Sequence, residues 1–580
     1  MESCLTSAVH RFLEQSVFSS AVFLAERLVA ENSSESNVGL LAQAYYRSGD
    51  GHRAISLLQN GVHSPSNKYL LALCCYEAGR LAEAESALIQ TKYDGKNHGN
   101  EVEDVPNGAA GLYLMGCICR RAGRIEHAIQ YFTASLKEDP FLWSAYEGLC
   151  ELGCEVPPEE FFGHSAREAI NMQTLAKAKM QESNSKSKVE LPRKTTPAKG
   201  KKAMSRTYTE KDRPTKLRQT TIHQELEETK TPSKPQYSST CSSEQLVLKL
   251  LHDYGSAFQA LSLFRCETAL QLFKNLPQKQ RNSGWVLHQI GRTYFEMANY
   301  TKAARIYQTI RENEPHRMSG MAVYSTILYH LKQEVNLSYL AQQVTDFDKR
   351  SSEAWFVAGN CFSLQKEHDT ALTFFQRAIQ LDPCFTYAYT LCGHEYAANE
   401  DFEKAIGCYR HAIRMDPRHY NAWYGMGTIY FRQEKFELAE YHFRKAIAIN
   451  PQSSILYCNL GMVLHAVERN NEAIAALEHA QRLQPLNPTA RFHKAKVLVA
   501  QGRYEEAHQE LEFVQNAAPK ESSVHFLLGK VAKKLGRIDD AMRYFNNALF
   551  FHPKDNHLIK AAIERLHEED RDENEESLVA

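Results

Sequence analysis

The chain has 580 residues, 43% of them hydrophobic and 10% aromatic, which is enough apolar material for a large buried core. Lys and Arg number 68 against 69 Asp and Glu, so the formal net charge of -1 excludes a basic coat for nucleic acid as the general mode of action. No early stretch approaches the roughly 18 apolar residues of a membrane span and the start lacks the basic residues of a signal peptide, so a soluble, non-secreted protein is expected, its 14 cysteines free thiols.

In chain order, the first segment repeats loosely. Ala21 and Ala25 centre one unit, Tyr46-Arg47-Ser48-Gly49 leads to Ala54, Tyr76-Glu77-Ala78-Gly79 leads to Ala84, and Gly116, Ala128, Phe132 and Pro140 form a further unit. About four repeats are expected over residues 1–162, with a polar loop from Asp94 to Asn107. Composition then shifts. From Ala176 to Tyr237 there are 16 Lys or Arg against 7 Asp or Glu, five Pro and neither Phe nor Trp, so residues 163–243 cannot bury enough apolar surface to offset their ordering entropy. They predict a basic, disordered linker, with Ala166 to Met180 able to begin as helix.

Beyond the linker the repeat becomes strict. Seven of the nine prolines after Ser243, at Pro315, Pro383, Pro417, Pro451, Pro485, Pro519 and Pro553, share one 34-residue phase. Twelve residues before each position of that phase stands an alanine in eight of nine cases (Ala269, Ala303, Ala371, Ala405, Ala439, Ala473, Ala507 and Ala541, with Leu337 the exception). Twelve residues earlier again comes Gly, Ala or Ser, as at Gly359, Gly393, Gly427 and Gly461. Aromatics three and four residues away, such as Tyr396 and Tyr409, have helical spacing. This predicts pairs of antiparallel helices of about 13 residues, each crossing at small residues and ended by proline. The pattern resembles the tetratricopeptide repeat, and it implies an all-α fold of two superhelical α-solenoids joined by the linker. Nine such units plus a cap helix are expected over residues 244–566, the unit from Met318 to Arg350 being degenerate, followed by a solvated acidic tail at 567–580.

Catalytic constellations are not found. Gly425-Met426-Gly427 lacks the third glycine of a phosphate loop, and His394-Glu395 has no second histidine four residues on. No enzyme, cofactor or metal is expected, and function must come from surfaces. The first helix of each pair lines a solenoid's concave side, and its inward offsets select Glu353, Phe356 and Asn360, then Tyr387, Thr390 and His394, then Asn421, Tyr424, Thr428 and Phe431. Asn can pair with an extended peptide's backbone, aromatic faces suit an aliphatic or guanidinium anchor, and Glu353 can offer a carboxylate. A clamp for acidic chaperone tails is missing, because Asn360 is followed at the equivalent positions by Leu391 and Gly425. In the linker, Thr196-Pro197-Ala198-Lys199 and Thr231-Pro232-Ser233-Lys234 resemble acceptor sites of cyclin-dependent kinases, which makes Thr196 and Thr231 candidate phosphorylation sites. Arg193-Lys194 with Lys199, Lys201 and Lys202 offers a nuclear address, so a nuclear location with a cytoplasmic pool is expected.

Several blocks exceed repeat consensus: Ala21-Val22-Phe23-Leu24-Ala25-Glu26-Arg27-Leu28, Asp139-Pro140-Phe141-Leu142-Trp143-Ser144, Gly359-Asn360-Cys361-Phe362-Ser363-Leu364-Gln365 and Asp416-Pro417-Arg418-His419-Tyr420-Asn421-Ala422-Trp423-Tyr424-Gly425. They resemble the cell-division-cycle scaffolds known as subunit 3 of the anaphase-promoting complex (cyclosome). The resemblance implies a non-catalytic scaffold of a multisubunit ubiquitin ligase acting in mitosis. It implies homodimerisation through the N-terminal repeats and contacts with the other tetratricopeptide-repeat subunits. It also implies capture, in the C-terminal array, of the Ile-Arg tails of activator subunits and of the small substrate-receptor subunit. The alternative is an adaptor in another nuclear or chromatin-associated assembly; with only Tyr208 and Tyr237 as aromatics in the linker, base stacking has little to work with.

Overall fold

The computed structural model describes residues 1–59, 64–89, 105–163, 238–485, 487–551 and 556–566. Thr196, Thr231, nearly all of the linker, most of the polar insert, Pro553 and the acidic tail lie outside the described residues. Among the described residues every regular element is a helix, and no helix is long and apolar enough to cross a membrane. Met1–Pro157 with Asp253–Ala580 forms one compact unit and Pro158–His252 another; in the latter, His252 Nε2 meets Glu159 Oε2 at 2.7 Å.

In the large unit, four helix pairs precede a lone helix, Trp143–Glu151, and nine pairs run from the helix Ser238–Ser262, which belongs to this unit from Asp253 on, to the helix Ile538–Phe550, followed by Asn556–Glu564. The strict repeats pair a 13-residue first helix with a 14-residue second one, for example Ser352–Leu364 with His368–Leu381 and Thr386–Ala398 with Phe402–Met415. The spacing of small residues explains the crossing. Ala371, Ala405 and Ala439 are fully buried, and a Cβ added at Gly359 would sit 2.5 Å from Phe375 Cε1, one at Gly427 2.8 Å from Phe443 Cε1. The glycine thus leaves room for the aromatic ring of the partner helix. Second helices of the strict repeats end in extended backbone ahead of proline, as at Asp382 (φ -134°, ψ 96°) and Asp416 (φ -137°, ψ 100°). The side chain of that residue then accepts a turn amide: Asp382 Oδ1 from Cys384 N–H at 3.0 Å, Asp416 Oδ1 from Arg418 N–H at 2.9 Å.

Between the two helices of a pair the chain turns through one left-handed residue, and these also recur every 34 positions: Ala298, Lys332, Lys366, Glu400, Glu434 and Glu468, then Gly502 and Gly536. Glycine is at ease there, whereas a side chain in this conformation costs about 1–2 kcal/mol. Replacing exposed Glu400 (φ 61°) by glycine should therefore stabilise the array by about 0.5–1 kcal/mol after the entropy cost of glycine in the unfolded chain. A urea midpoint equal to or below that of the parent would refute this.

The degenerate unit keeps its place by other means. Its first helix, Met321–His330, has only 10 residues, Leu337 is fully buried where alanine usually stands, and Ser325 replaces glycine with its hydroxyl donating to Ala322 O at 2.7 Å.

The stacking runs across the two sides of the linker. The Trp143 ring meets Tyr254, Phe258 and Trp285 at centroid distances of 5.7–6.3 Å, all three near edge-on. The Arg418 guanidinium donates to the carbonyls of Cys150 and Glu151 at 3.2 Å and of Ser262 at 2.9 Å, so one cation serves the carbonyl ends of two helices.

Candidate functional site: the inner wall of the C-terminal array

First helices of successive repeats touch one another again and again, whereas second helices pack mainly against the first helices beside them. The first helices therefore line the more tightly curved, concave side. Their inward offsets bring Glu353, Tyr387, His394, Asn421 and Tyr424 onto that wall, each half-buried.

Three of the expected groove residues need correction. Phe356 is 1% exposed, with its ring packed on Phe375 and Phe385 at 5.6 and 5.2 Å. Asn360 is 3% exposed and its amide donates to Ser325 Oγ at 2.8 Å, tying it to the degenerate repeat. Thr390 is buried and donates to Thr386 O at 3.2 Å. These side chains build the wall from beneath and do not form its surface. Burial changes along the register with the size of the neighbouring residue.

Glu353 faces a different duty from the one expected. Its carboxylate accepts the backbone N–H of Ala322 at 3.3 Å and caps the start of the helix Met321–His330. Burial pushes the Glu353 carboxyl up, while the amides of Ala322, Gly320 and Met321 pull it down. His394 Nδ1 meets the Tyr409 hydroxyl at 2.9 Å. Burial, followed by the neighbouring His419 and His330, lowers the His394 imidazole to about 4, so it is neutral at pH 7. Tyr387 stands edge-on to His419 at 4.8 Å, and Asn421 and Tyr424 continue the same stripe into the next repeat.

Continuing the offsets back two repeats identifies residues that sequence reasoning passed over. His288, Arg292 and Glu296 occupy successive turns of the helix Gly284–Glu296. Glu296 Oε2 accepts the Tyr420 hydroxyl at 2.9 Å, and Phe264, in the turn of the first repeat, meets the Tyr420 ring at 5.5 Å, so the first two repeats touch the sixth. Burial pushes the Glu296 carboxyl up against the attraction of Arg292. The 34-residue register was the available signal for these residues; their contact with Tyr420, 124 positions away, was not.

Ser363, Glu395 and His368 also come together: Ser363 Oγ donates to Glu395 Oε1 and His368 Nδ1 meets Glu395 Oε2, both at 2.6 Å. The hydroxyl bonds to the carboxylate and not to the imidazole, so the order needed for an activated nucleophile is absent here. What the arrangement does is tie two adjacent repeats. Among the described residues no cluster of three or more His, Cys, Asp or Glu has metal-binding geometry.

The fold defines a tetratricopeptide-repeat scaffold, a stack of helix pairs. Family models agree with that class: the anaphase-promoting complex, cyclosome, subunit 3 model matches residues 14–91, tetratricopeptide-repeat models match 109–141 and 285–316, and the model of the cilia and flagella-associated protein 70 C-terminal domain matches 330–562. Cell division cycle protein 27 homolog A of Arabidopsis thaliana is 33% identical over 533 residues, covering 67% of this chain and 73% of the relative. The human homolog is 32% identical, covering 66% and 72%. Anaphase-promoting complex subunit 3 of Dictyostelium discoideum is 44% identical over 141 residues, 24% of this chain and 14% of the relative. A chain in the crystal structure of the APC/C hetero-tetramer Cut9-Hcn1 superposes with a TM-score of 0.61, covering 98% of this chain and 96% of that one; at 16% identity this likeness speaks for the fold. The chain belongs to the cell division cycle protein 27 family, the subunit 3 family of tetratricopeptide-repeat scaffolds in the anaphase-promoting complex, and not to a family of enzymes.

Proposed function

We propose that the chain is a homodimeric scaffold subunit of the anaphase-promoting complex that holds the Ile-Arg tails of activator and substrate-receptor subunits in the groove of its C-terminal array, and so promotes ubiquitination of cell-cycle proteins. The observation that carries the family part of this reading is the 33% identity over 533 residues, covering 67% of this chain and 73% of the relative. The tail part is supported by the inner wall itself, where Asn421, Tyr387 and Tyr424 are half-buried polar and aromatic groups on successive first helices. With Glu353 engaged at a helix start and Asn360 bonded internally, Asn421 and the Tyr387 hydroxyl are the groups best suited to a peptide. Dimerisation draws support from the N-terminal array, where Phe23 is 55% and Val17 40% exposed. Nuclear localisation and phosphorylation of Thr196 and Thr231 belong to the same proposal and rest on sequence alone.

Titrating the full chain with a labelled Ile-Arg-ended peptide tests the groove. Asn421→Ala combined with Tyr387→Phe should weaken binding at least tenfold, about 1.4 kcal/mol, with the helical spectrum unchanged. Equal affinity of parent and variant would remove the groove assignment, and a monomeric mass by light scattering would remove the dimer.

A further inference from the structure

Arg418, His419 and Tyr420 form one corner of the inner wall and reach three other elements. Arg418 donates to the carbonyls of Cys150 and Glu151 at 3.2 Å, the His419 ring stands edge-on to Tyr387 at 4.8 Å, and the Tyr420 hydroxyl donates to Glu296 Oε2 at 2.9 Å. The corner thus gathers the ends of the helices Trp143–Glu151 and Gly284–Glu296 and the starts of Thr386–Ala398 and Tyr420–Arg432 around one space. One turn before Glu151 stands Glu147, and one turn before Glu296 stands Arg292, each on the same helix face as the later residue.

The charges in this space do not settle one another. Glu151 is paired with Arg120 at 2.6 Å and Glu296 is held by Tyr420, but no hydrogen bond or ion pair ties the side chains of Glu147 and Arg292 or the Tyr387 hydroxyl to any described residue. All three residues are half-buried. Arg292 attracts Glu147, Glu151 and Glu296, yet comes within ion-pair distance of none of them. Burial, then Glu151, pushes the Glu147 carboxyl up, while Arg292 and Arg120 pull it back. A cation and a carboxylate held half-buried on different helices, each without a partner, carry a desolvation cost that no direct contact offsets. A ligand that brings an anion to Arg292 and a cation to Glu147 offsets both. The last residue of a chain ending in arginine has the two charges on one short frame, an α-carboxylate and a guanidinium, and each matches the forked geometry of its counterpart.

We propose that this space seats the terminal residue of an arginine-ended peptide: Arg292 binds the α-carboxylate, to which the Tyr387 hydroxyl also donates, and Glu147 binds the side-chain guanidinium. The assignment rests on the tail reading above and extends it to a helix of the N-terminal array, so that residues on both sides of the linker read the last residue jointly. Discrimination follows from the chemistry. A terminal amide leaves Arg292 without its anion, and a neutral side chain leaves Glu147 without its cation, each at the cost of a desolvated, unpaired charge.

Fluorescence anisotropy on the full chain tests this with three labelled peptides of otherwise equal sequence, ending in Ile-Arg with a free carboxylate, in Ile-Arg amide, and in Ile-Gln with a free carboxylate. The parent should bind the first about tenfold or more tightly than either of the others. Arg292→Gln should bring the acid and the amide within about threefold of each other while keeping the preference for Arg over Gln. Glu147→Gln should abolish that preference and keep the one for the free carboxylate. A folding defect would lower all three affinities together and would show in the helical spectrum; Arg292→Lys and Glu147→Asp, which keep the charges and change the geometry, then replace the Gln variants and should each reduce only the matching preference. A parent that binds acid and amide alike, or Arg and Gln alike, would overturn the assignment, as would folded variants that keep both preferences. Failure of the Ile-Arg peptide to bind the parent at all would remove the tail reading as well, whereas binding indifferent to the terminal amide and to Arg292→Gln would remove this site alone.

Discussion

Tyr409→Ala should cost the C-terminal array about 3–5 kcal/mol, the largest loss expected from any single truncation in it. The ring is 1% exposed and is pressed from two sides: a Cβ built on Gly393, in the same repeat, would stand 2.5 Å from Cε1, and one built on Gly425, in the next, 2.4 Å from Cζ. One side chain thus fills the space between three helices, and its hydroxyl meets His394 Nδ1 at 2.9 Å. Truncation leaves a cavity where both glycines expose bare backbone, and no neighbouring side chain can swing in from a glycine. Because a solenoid coheres only through nearest neighbours, the loss should appear as early melting of the repeats around Phe402–Met415. Hydrogen exchange would locate it. A pair of glycine variants separates packing from helix propensity: Gly393→Ala drives a methyl into the Tyr409 ring and should cost about 1–3 kcal/mol. Gly407→Ala, with nothing within 4 Å, should stabilise by about 0.5–1 kcal/mol. If both glycine variants shifted stability in the same direction, the close approach would not be the reason for Gly393.

The same comparison shows what could be read from sequence. Gly393, Ala405 and Pro417 announce a crossing and a stop because each acts through its own backbone, and that is why the 34-residue architecture was visible from spacing. The left-handed turns between paired helices recur just as strictly but were silent, since Ala298, Lys366 and Glu400 carry no glycine signal; only Gly502 and Gly536 do. The offsets nominate an inner wall without saying which of its side chains reach the surface. Whether Asn360 presents its amide to a ligand depends on Ser325, 35 residues away, and whether Glu353 is available depends on a helix start at Gly320. The Arg418 contact with Cys150 spans 268 positions and an entire linker, beyond any local pattern. Backbone-encoded features were therefore legible, and features decided by side-chain partners on other repeats were not.

Acid should unfold this array earlier than its carboxylates alone would require. Burial holds His394, His419, His442 and His493 at about 4 and His288 at about 3, against an ordinary value of 6.5. Nearby positive charge adds to the effect, from Arg292 on His288 and His419, Arg410 on His442 and Lys496 on His493. A folded value below the unfolded one means that the unfolded chain binds more protons between about 6.5 and 4, so stability is full above pH 6.5 and falls through that window. Each histidine contributes a slope of the order of 1 kcal/mol per pH unit once protonation of the unfolded state is complete. Glu296 and Glu353, whose carboxyls burial pushes up, act the other way: their contribution is lost as pH rises above 4.5, so they soften the acid limb without reversing it. His419 is the decisive case, because it is 5% exposed, its Nε2 has no hydrogen-bond partner, and Arg292 opposes its charging. Urea midpoints at pH 7.5, 6.5, 5.5 and 4.5 should decline steadily below 6.5, and His419→Asn should flatten that decline while leaving the midpoint at pH 7.5 within about 1.5 kcal/mol of the parent. Identical midpoints at pH 7.5 and 5.5, or an unchanged slope in the variant, would mean that these imidazoles charge freely in the folded array.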